Sequence, residues 1–321
     1  MLKLLKYVVG VFALLLIVLV YLNWAPDIPH EVLAEKYATG ASDFVELPSG
    51  ARAHYRMQGN RDWQTIVLLH GSNASLHTWE PWVSQLSDRF FLVTVDLPGH
   101  GLTGTTPADD YTYQGMVDFL KEFVDTVGLN QFVLGGNSMG GGITLSYALA
   151  HPEDLTHLIL VDAGGINVPP KPGEERDYPI AFDLAGRWYT DWIFENVMPR
   201  GLAAEGLQSS VSVKSVITDE MIDQYWELAR HPGNRRATGK RFAWYRENGG
   251  RNLDVTGIAL PSLIIWGDED RLIPVSTAYF LNERLPNSQL RIFSGVGHLP
   301  MEEVPADTAS AVSSFLDAPR S

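Results

Sequence analysis

The sequence predicts an α/β fold: a mostly parallel, doubly wound sheet interrupted by a block of helices. Three observations predict it. Short apolar runs recur at residues 66–69, 91–95, 132–134 and 158–161 with helical segments between them. Strands covered on both faces read as such continuous runs. The runs end in glycine-bearing turns, where folds of this kind keep their chemistry. The alternation then stops at Gly164-Gly165 and returns only at residues 262–266.

Residues 1–24 are different in kind. After Lys3 and Lys6, residues 7–24 carry no charge and are rich in Val and Leu. At about 1.5 Å per residue this run spans about 27 Å as a helix, close to a bilayer's hydrocarbon thickness. Tyr7, Tyr21 and Trp24 stand near its ends, where amphipathic rings prefer the interface. A cleaved signal peptide is the rival reading, but its apolar region is usually about 7–15 residues. No A-x-A-like site follows here; Pro26 comes directly after Ala25. The expectation is an uncleaved, single-pass transmembrane anchor. Lys3 and Lys6 precede it while Asp27, Glu31 and Glu35 follow. The positive-inside bias then sets the body of the protein on the non-cytoplasmic side.

Residues 25–42, with Pro26, Pro29 and Gly40, read as a tether with one short helix. A hairpin over residues 44–47 and 51–57 opens the sheet domain, whose first part runs over residues 43–166. Its helices include residues 116–127, ending at Gly128. Val168-Pro169-Pro170-Lys171-Pro172-Gly173 suits neither a helix nor a central strand and reads as a hinge. Residues 167–250 are then expected to form a helical cap. Within it Thr218 is placed to cap a helix with Asp219 and Glu220 in the first turn. Ile222, Tyr225, Trp226 and Ala229 share one face, and His231-Pro232-Gly233 stops it. Residues 251–321 complete the sheet domain, with strands at 262–266 and 290–293 and a last helix at 306–316.

Composition narrows the function. A formal charge of −14 excludes the large basic surface that nucleic-acid binding needs. The absence of cysteine removes disulfides, thiolate catalysis and cysteine metal sites together.

The chemistry centres on residues 132–142, FVLGGNSMGGG, a strand running into a glycine turn ahead of the helix ITLSYALA. Gly136-Asn137-Ser138-Met139-Gly140 is a G-x-S-x-G pattern. Its spacing fits a sharp strand–turn–helix elbow, in which residues two before and two after the serine must lack side chains. The helix N-terminus beside Ser138 favours a developing negative charge. Three further stretches fall where the elbow needs them. Leu69-His70-Gly71-Ser72-Asn73 ends the third strand and offers one oxyanion N–H, from Ser72 or Asn73, to pair with that of Met139. Trp266-Gly267-Asp268-Glu269-Asp270 supplies a carboxylate that can orient a histidine; Asp270 is preferred, with Asp268 and Glu269 as rivals. Gly295-Val296-Gly297-His298 follows the final strand. His30, His77, His151, His157 and His231 sit in polar or capping contexts and are expected at the surface. His54 lies in a hairpin strand, and His100 lies in a glycine turn. The order Ser138, Asp270, His298 is the one found in α/β-hydrolases.

The chain resembles the α/β-hydrolase superfamily over about residues 43–318, through LLHGSN, DLPGHG, GNSMGG, WGDEDRLIP and GVGHLPMEEVP in order. The resemblance implies an α/β-hydrolase fold, Ser138 as nucleophile, His298 as base, Asp270 as acid, and Ser72 with Met139 as oxyanion hole. It implies no metal or organic cofactor. With serine at the elbow, the chain does not look like haloalkane dehalogenases or epoxide hydrolases, whose nucleophile there is aspartate. It is most similar to membrane-anchored acylglycerol lipases and related carboxylesterases, which implies hydrolysis of carboxylic esters through an acyl-enzyme. The alternative is a meta-cleavage-product hydrolase cutting carbon–carbon bonds, which shares GNSMGG. The chain departs from that group at His70-Gly71-Ser72-Asn73-Ala74, where the group carries a glycine- and proline-rich loop, and at Leu299, where it places tryptophan. Arg187-Trp188 keeps a substrate carboxylate in view. A third reading is a non-catalytic ligand receptor on the same fold.

Aromatic residues of the cap, from Trp188 to Tyr245, predict an apolar pocket wall and a preference for medium or longer acyl or lipid-like esters. Residues 235–251 hold six basic residues against one acid and are expected to face anionic headgroups.

Overall fold

The computed structural model describes residues 2–169, 171, 174, 185–187, 189–248 and 253–318. Helix α1, Leu2–Leu22, is exposed along almost its whole length and is apolar and long enough to cross a membrane. It is a candidate anchor. Helix α2, His30–Tyr37, follows. The sheet domain then runs β1 Ser42–Glu46, β2 Arg52–Gln58, β3 Thr65–Leu69, α3 Glu80–Leu86, β4 Phe91–Val95, α4 Tyr113–Thr126, β5 Phe132–Asn137, α5 Met139–Ala150 and β6 Leu155–Val161. Among the described residues, helices α6 Asp191–Asn196, α7 Arg200–Ser210, α8 Asp219–Ala229 and α9 Asn234–Asn248 come next. The chain returns to the sheet with β7 Ser262–Gly267, α10 Ser276–Arg284, β8 Ser288–Phe293, α11 Pro300–Glu303 and α12 Pro305–Leu316.

The eight strands lie in the order β1-β2-β4-β3-β5-β6-β7-β8. β2 pairs antiparallel with both β1 and β4, and every later pair is parallel. The apolar runs follow from this placement, because central strands are packed on both faces. Ile66 and Leu68 of β3 pack with Trp79, Trp82 and Phe315 on one face. Val67 and Leu69 pack with Met116, Phe123 and Ile143 on the other. Each such side chain, fully buried, contributes about 1.5–3 kcal/mol.

Caps set the helix ends. The Thr218 hydroxyl accepts from Met221 N at 3.1 Å, and α8 buries Ile222 and Leu228 as its spacing predicts. Tyr225 of the same helix donates to Glu302 at 3.0 Å and so docks α8 on α11. Helix α4 starts three residues ahead of the expected position because Thr112 accepts from Gly115 N at 3.1 Å. Pro170, Pro172 and Gly173 of the expected hinge, with Trp188 and Arg251, lie outside the described residues.

Three expectations are corrected. Residues 25–42 are not a free tether but are docked on the helices between β6 and β7. Trp24 bridges to Val197 and packs its ring on Trp192 at 5.8 Å, and Ala25 N donates to Asn196 O at 2.9 Å. Ile28 N donates to Arg230 O at 2.8 Å, and Leu33 and Tyr37 of α2 pack with Leu102 and Leu228. Pro and Gly content signalled irregular backbone, which is compatible with tight docking. The basic run faces outward only in part. Arg235 is buried against Ala25 O and Asp27, both at 2.6 Å, and Arg241 is buried too, whereas Arg236, Lys240 and Arg246 are exposed, the first two pairing with Asp109. Finally, His77, His157 and His231 are buried. His77 bonds to Ser75, Tyr37 O and Arg56, and His231 to His30. Sequence context shows a residue's chain neighbours, and apart from Ser75 these partners come from distant segments.

The docking carries a prediction. Removal of residues 1–22 is expected to leave the melting temperature of the remaining chain essentially unchanged. Removal of residues 1–38 would strip Leu33, worth about 1.5–3 kcal/mol, and leave Arg235 buried without its carboxylate. A loss on the order of 10 °C in thermal unfolding follows. Equal melting temperatures for the two truncations would show that the segment contributes nothing to stability.

Candidate active site

The site begins where β5 gives way to α5. Ser138 is the N-cap of α5, at φ 53° and ψ −117°, a left-handed conformation that non-glycine residues rarely hold. Sterics impose the flanking glycines. A Cβ at Gly136 would collide with the Gly140 carbonyl, and one at Gly140 with the Leu69 carbonyl. The turn is closed by Ser138 N donating to Val161 O at 3.0 Å and by Gly164 N donating to Ser138 O at 2.7 Å. The first N–H groups of α5, that of Met139 included, have no partner within the helix.

The loop after β3 lies against the elbow: a Cβ at Gly71 would stand 3.2 Å from Ser138 Cβ. Ser72 and Asn73, the expected sources of the second oxyanion N–H, therefore flank the serine. Asn73 sits at φ 60°, and Arg241 from α9 donates to Ser72 Oγ at 2.7 Å and to Asn73 Oδ1 at 3.3 Å.

His298 follows β8, and its Nδ1 lies 2.7 Å from Asp270 Oδ2, both residues being buried. A carboxylate only accepts, so Nδ1 carries the proton and the Nε2 lone pair is left to act as a base. Asp270 Oδ1 accepts from Leu272 N at 2.8 Å and Ile273 N at 3.0 Å, which fixes the carboxylate plane. The rivals face elsewhere. Asp268 accepts from Gly295 N at 2.7 Å and Ser294 Oγ at 2.9 Å and braces the turn after β8, while Glu269 is exposed.

Sequence reasoning missed three supporting residues. Asn137, next to the serine, donates from Nδ2 to His298 O at 3.1 Å and to Val161 O at 3.2 Å, tying the elbow to the histidine loop. Glu303 accepts from Gly297 N at 3.0 Å, Leu299 N at 3.2 Å and Ser212 N at 2.7 Å, clamping both sides of His298. Its position in the same short motif as His298 was the available signal. Asp162, at the end of β6, is fully buried, and its donor atoms, with those of Asp270 and His298, lie within 4.8 Å of one another. Burial, then the nearby Asp270 charge, holds its carboxyl protonated well past the usual carboxylate range. Nothing in its local sequence marked it. His54 and His100 are buried away from the serine: His54 bonds Asp96 at 2.7 Å, and His100 bonds Pro98 O and Arg241, both at 3.0 Å.

Ser138, Met139, Ser72, Asn73 and His298 open on one cavity of about 570 Å³. Cap residues Phe194, Met198, Leu202, Leu207 and Tyr225 form much of its wall. Tyr189, Trp192 and Ile193, expected to pack inward, are exposed. The site thus sets a serine hydroxyl, a histidine–carboxylate pair and helix-end N–H groups about one apolar space.

This geometry and the sheet topology agree with the comparisons. The chain belongs to the α/β-hydrolase family: the model of the alpha/beta hydrolase fold matches residues 64–305. Among its relatives is the monoacylglycerol lipase abhd6-A of Xenopus laevis, 28% identical over 79% of this chain and 75% of the relative. Another is the 2-hydroxy-6-oxo-2,4-heptadienoate hydrolase of Pseudomonas putida, 26% identical over 79% of this chain and 89% of the relative. The solved structure of a membrane phospholipase A, described as a bacterial virulence factor, superposes with a TM-score of 0.74 at 23% identity, covering 99% of this chain and 98% of that one. The protein is a hydrolase of this fold, with lipase and carbon–carbon hydrolase relatives.

Proposed function

We propose that the protein is a serine hydrolase of carboxylic esters with medium or long acyl chains, acting through an acyl-enzyme. The observation that carries this reading is His298, held by Asp270 at 2.7 Å and opening on the same cavity as a strained Ser138 at a helix N-terminus. His298 takes the Ser138 proton as the hydroxyl oxygen attacks the ester carbonyl. Asp270 holds the imidazole in the required tautomer and stabilises the imidazolium. The N–H groups of Met139 and of Ser72 receive the oxyanion. His298 then protonates the departing alcohol, and water, activated by the same imidazole, releases the acid. The apolar cap wall binds the acyl chain at about 0.8 kcal/mol per buried CH₂. Similarity to a monoacylglycerol lipase supports the ester reading, and helix α1 supports delivery of substrate from a bilayer. The charge order about α1 favours a catalytic domain on the non-cytoplasmic side.

Carbon–carbon hydrolysis is the second reading, favoured by the Pseudomonas putida relative and by Arg187 on the cavity wall. A panel of esters of rising chain length, run beside one vinylogous 1,5-diketone acid, decides between them. We expect octanoate and longer esters to exceed acetate at least tenfold in kcat/KM, a gain of about 1.4 kcal/mol or more. Rapid turnover of the diketone acid with negligible ester cleavage would reverse the assignment.

A further inference from the structure

We propose that the cavity takes an ester that itself carries an anion, Arg241 supplying a buried guanidinium for a phosphate or carboxylate a few bonds from the scissile carbonyl. The inference rests on the ester reading and adds the charge of the substrate.

The first observation is the sign of the wall. The chain holds 38 acidic and 24 basic residues. Yet among the described residues lining the cavity, the Asp, Glu, Lys and Arg side chains are Arg187, Arg235, Arg241 and Arg246 alone. An all-cationic wall reverses the composition of the chain. The second is the state of Arg241, which is 3% exposed. Its partners are neutral: Ser72 Oγ at 2.7 Å, Asn73 Oδ1 at 3.3 Å and His100 Nε2 at 3.0 Å. Burial and the Arg241 charge hold His100 well below its usual range, so the imidazole is an acceptor and not a counter-charge. Of the other cations of α9, Arg235 has Asp27, Arg236 and Lys240 share Asp109, and Arg246 donates to Ala185 O. Among the described residues Arg241 forms no ion pair, and burial draws its pKa down to about 10. A guanidinium that loses its water without gaining a carboxylate is costly, and a planar anion bound through paired N–H donors offsets that cost.

Position gives the substrate class. Arg241 touches the loop assigned the second oxyanion donor, so on the ester reading a bound anion lies close to the acyl carbon. Phe194, Met198 and Leu202 offer apolar surface in the same cavity. The matching ligand is an acyl ester whose alcohol part bears a phosphate or a carboxylate near the ester oxygen. A purely bracing role for Arg241, holding residues 72 and 73 in place, makes a different statement: its loss would harm charged and neutral esters alike.

The test uses the full chain in neutral detergent and three matched substrates: 1-dodecanoylglycerol, its 3-phosphate and the dodecanoyl ester of glyceric acid. At least one anionic ester is expected to exceed the neutral one by about tenfold or more in kcat/KM, and which one does so separates phosphate from carboxylate. In Arg241→Gln the ratio of anionic to neutral kcat/KM should fall toward 1, with Arg241→Lys in between. A measurement on the unaltered protein covers misfolding of the variants: dodecyl phosphate should inhibit neutral-ester hydrolysis at roughly a tenth of the dodecanol concentration or less. Ester turnover without anionic preference, equal inhibition by the two compounds, or a ratio untouched by Arg241→Gln would overturn the anion subsite alone. Failure to cleave any of the three esters would remove the ester reading and this inference with it.

Discussion

Ser138→Ala is expected to lower kcat by at least about 10⁵-fold and to abolish labelling by a serine-directed phosphonate, with no loss of thermal stability. The size follows from the role proposed for the residue: a covalent step has no substitute once its nucleophile is gone, and what remains comes from binding and the oxyanion donors. Ser72 Oγ, on the loop against the elbow, is held by Arg241 at 2.7 Å. Stability is expected to hold because the elbow is built by its neighbours: Gly136 and Gly140 permit the backbone path, and the 3.0 Å and 2.7 Å backbone bonds of Ser138 remain in the variant. Alanine removes one oxygen from a residue whose main chain is already over-determined. Residual turnover above about 1% of the starting rate would show that the serine is not the nucleophile; such a loss, about 2.7 kcal/mol, is too small for removing a covalent step.

The parts of the molecule that sequence exposes are those governed by local rules. Residues 91–95 read as a strand because every one of them is covered by a helix layer, and β4 has those bounds. The cap of α8 was legible in Thr218 for the same reason, since its partner Met221 N is three residues away. The G-x-S-x-G spacing is local too, because Gly136 and Gly140 are forced by contacts within the same turn or with the strand beside it. What stayed hidden depends on partners far apart in the chain. Arg235 reads as a surface cation until Asp27, on the far side of the sequence, is set 2.6 Å from it. His77 reads as a polar-loop residue, yet it is walled in by Tyr37 O and Arg56. Asp162 lies in an unremarked turn and matters only because β6 and β7 are neighbours, which brings Gly267 N within 3.1 Å of its Oδ1. Exposure of Tyr189 and Trp192 is the opposite error: aromatic content gave burial where none exists.

Asp270→Asn is expected to leave the fold intact and to lower kcat by about 10⁴-fold, whereas Asp268→Asn should stay within a few-fold of the unaltered enzyme. The two carboxylates are separated in sequence only by Glu269, so the contrast comes from geometry. Asp270 Oδ2 receives the His298 Nδ1 proton at 2.7 Å while Oδ1 is fixed by two backbone N–H groups. An asparagine placed on those backbone donors through its oxygen turns its NH₂ toward His298. That donor demands a lone pair on Nδ1, so the proton moves to Nε2 and the proposed base is lost. Asp268 serves Ser294 Oγ and Gly295 N, and an amide can still accept from one of them. The nearby Asp162 sharpens the measurement. Burial and then the Asp270 charge raise its carboxyl well above the usual carboxylate range, and Asp270→Asn removes the second of these causes. If the Asp162 proton were lost at high pH, activity of Asp270→Asn would climb with pH in a way that Asp162→Asn/Asp270→Asn does not share. Rates for the three variants across pH 6–10, with melting temperatures alongside, separate the roles. An Asp270→Asn enzyme near full activity beside an inactive Asp268→Asn enzyme would move the acid to Asp268 and break the assignment made from the 2.7 Å contact.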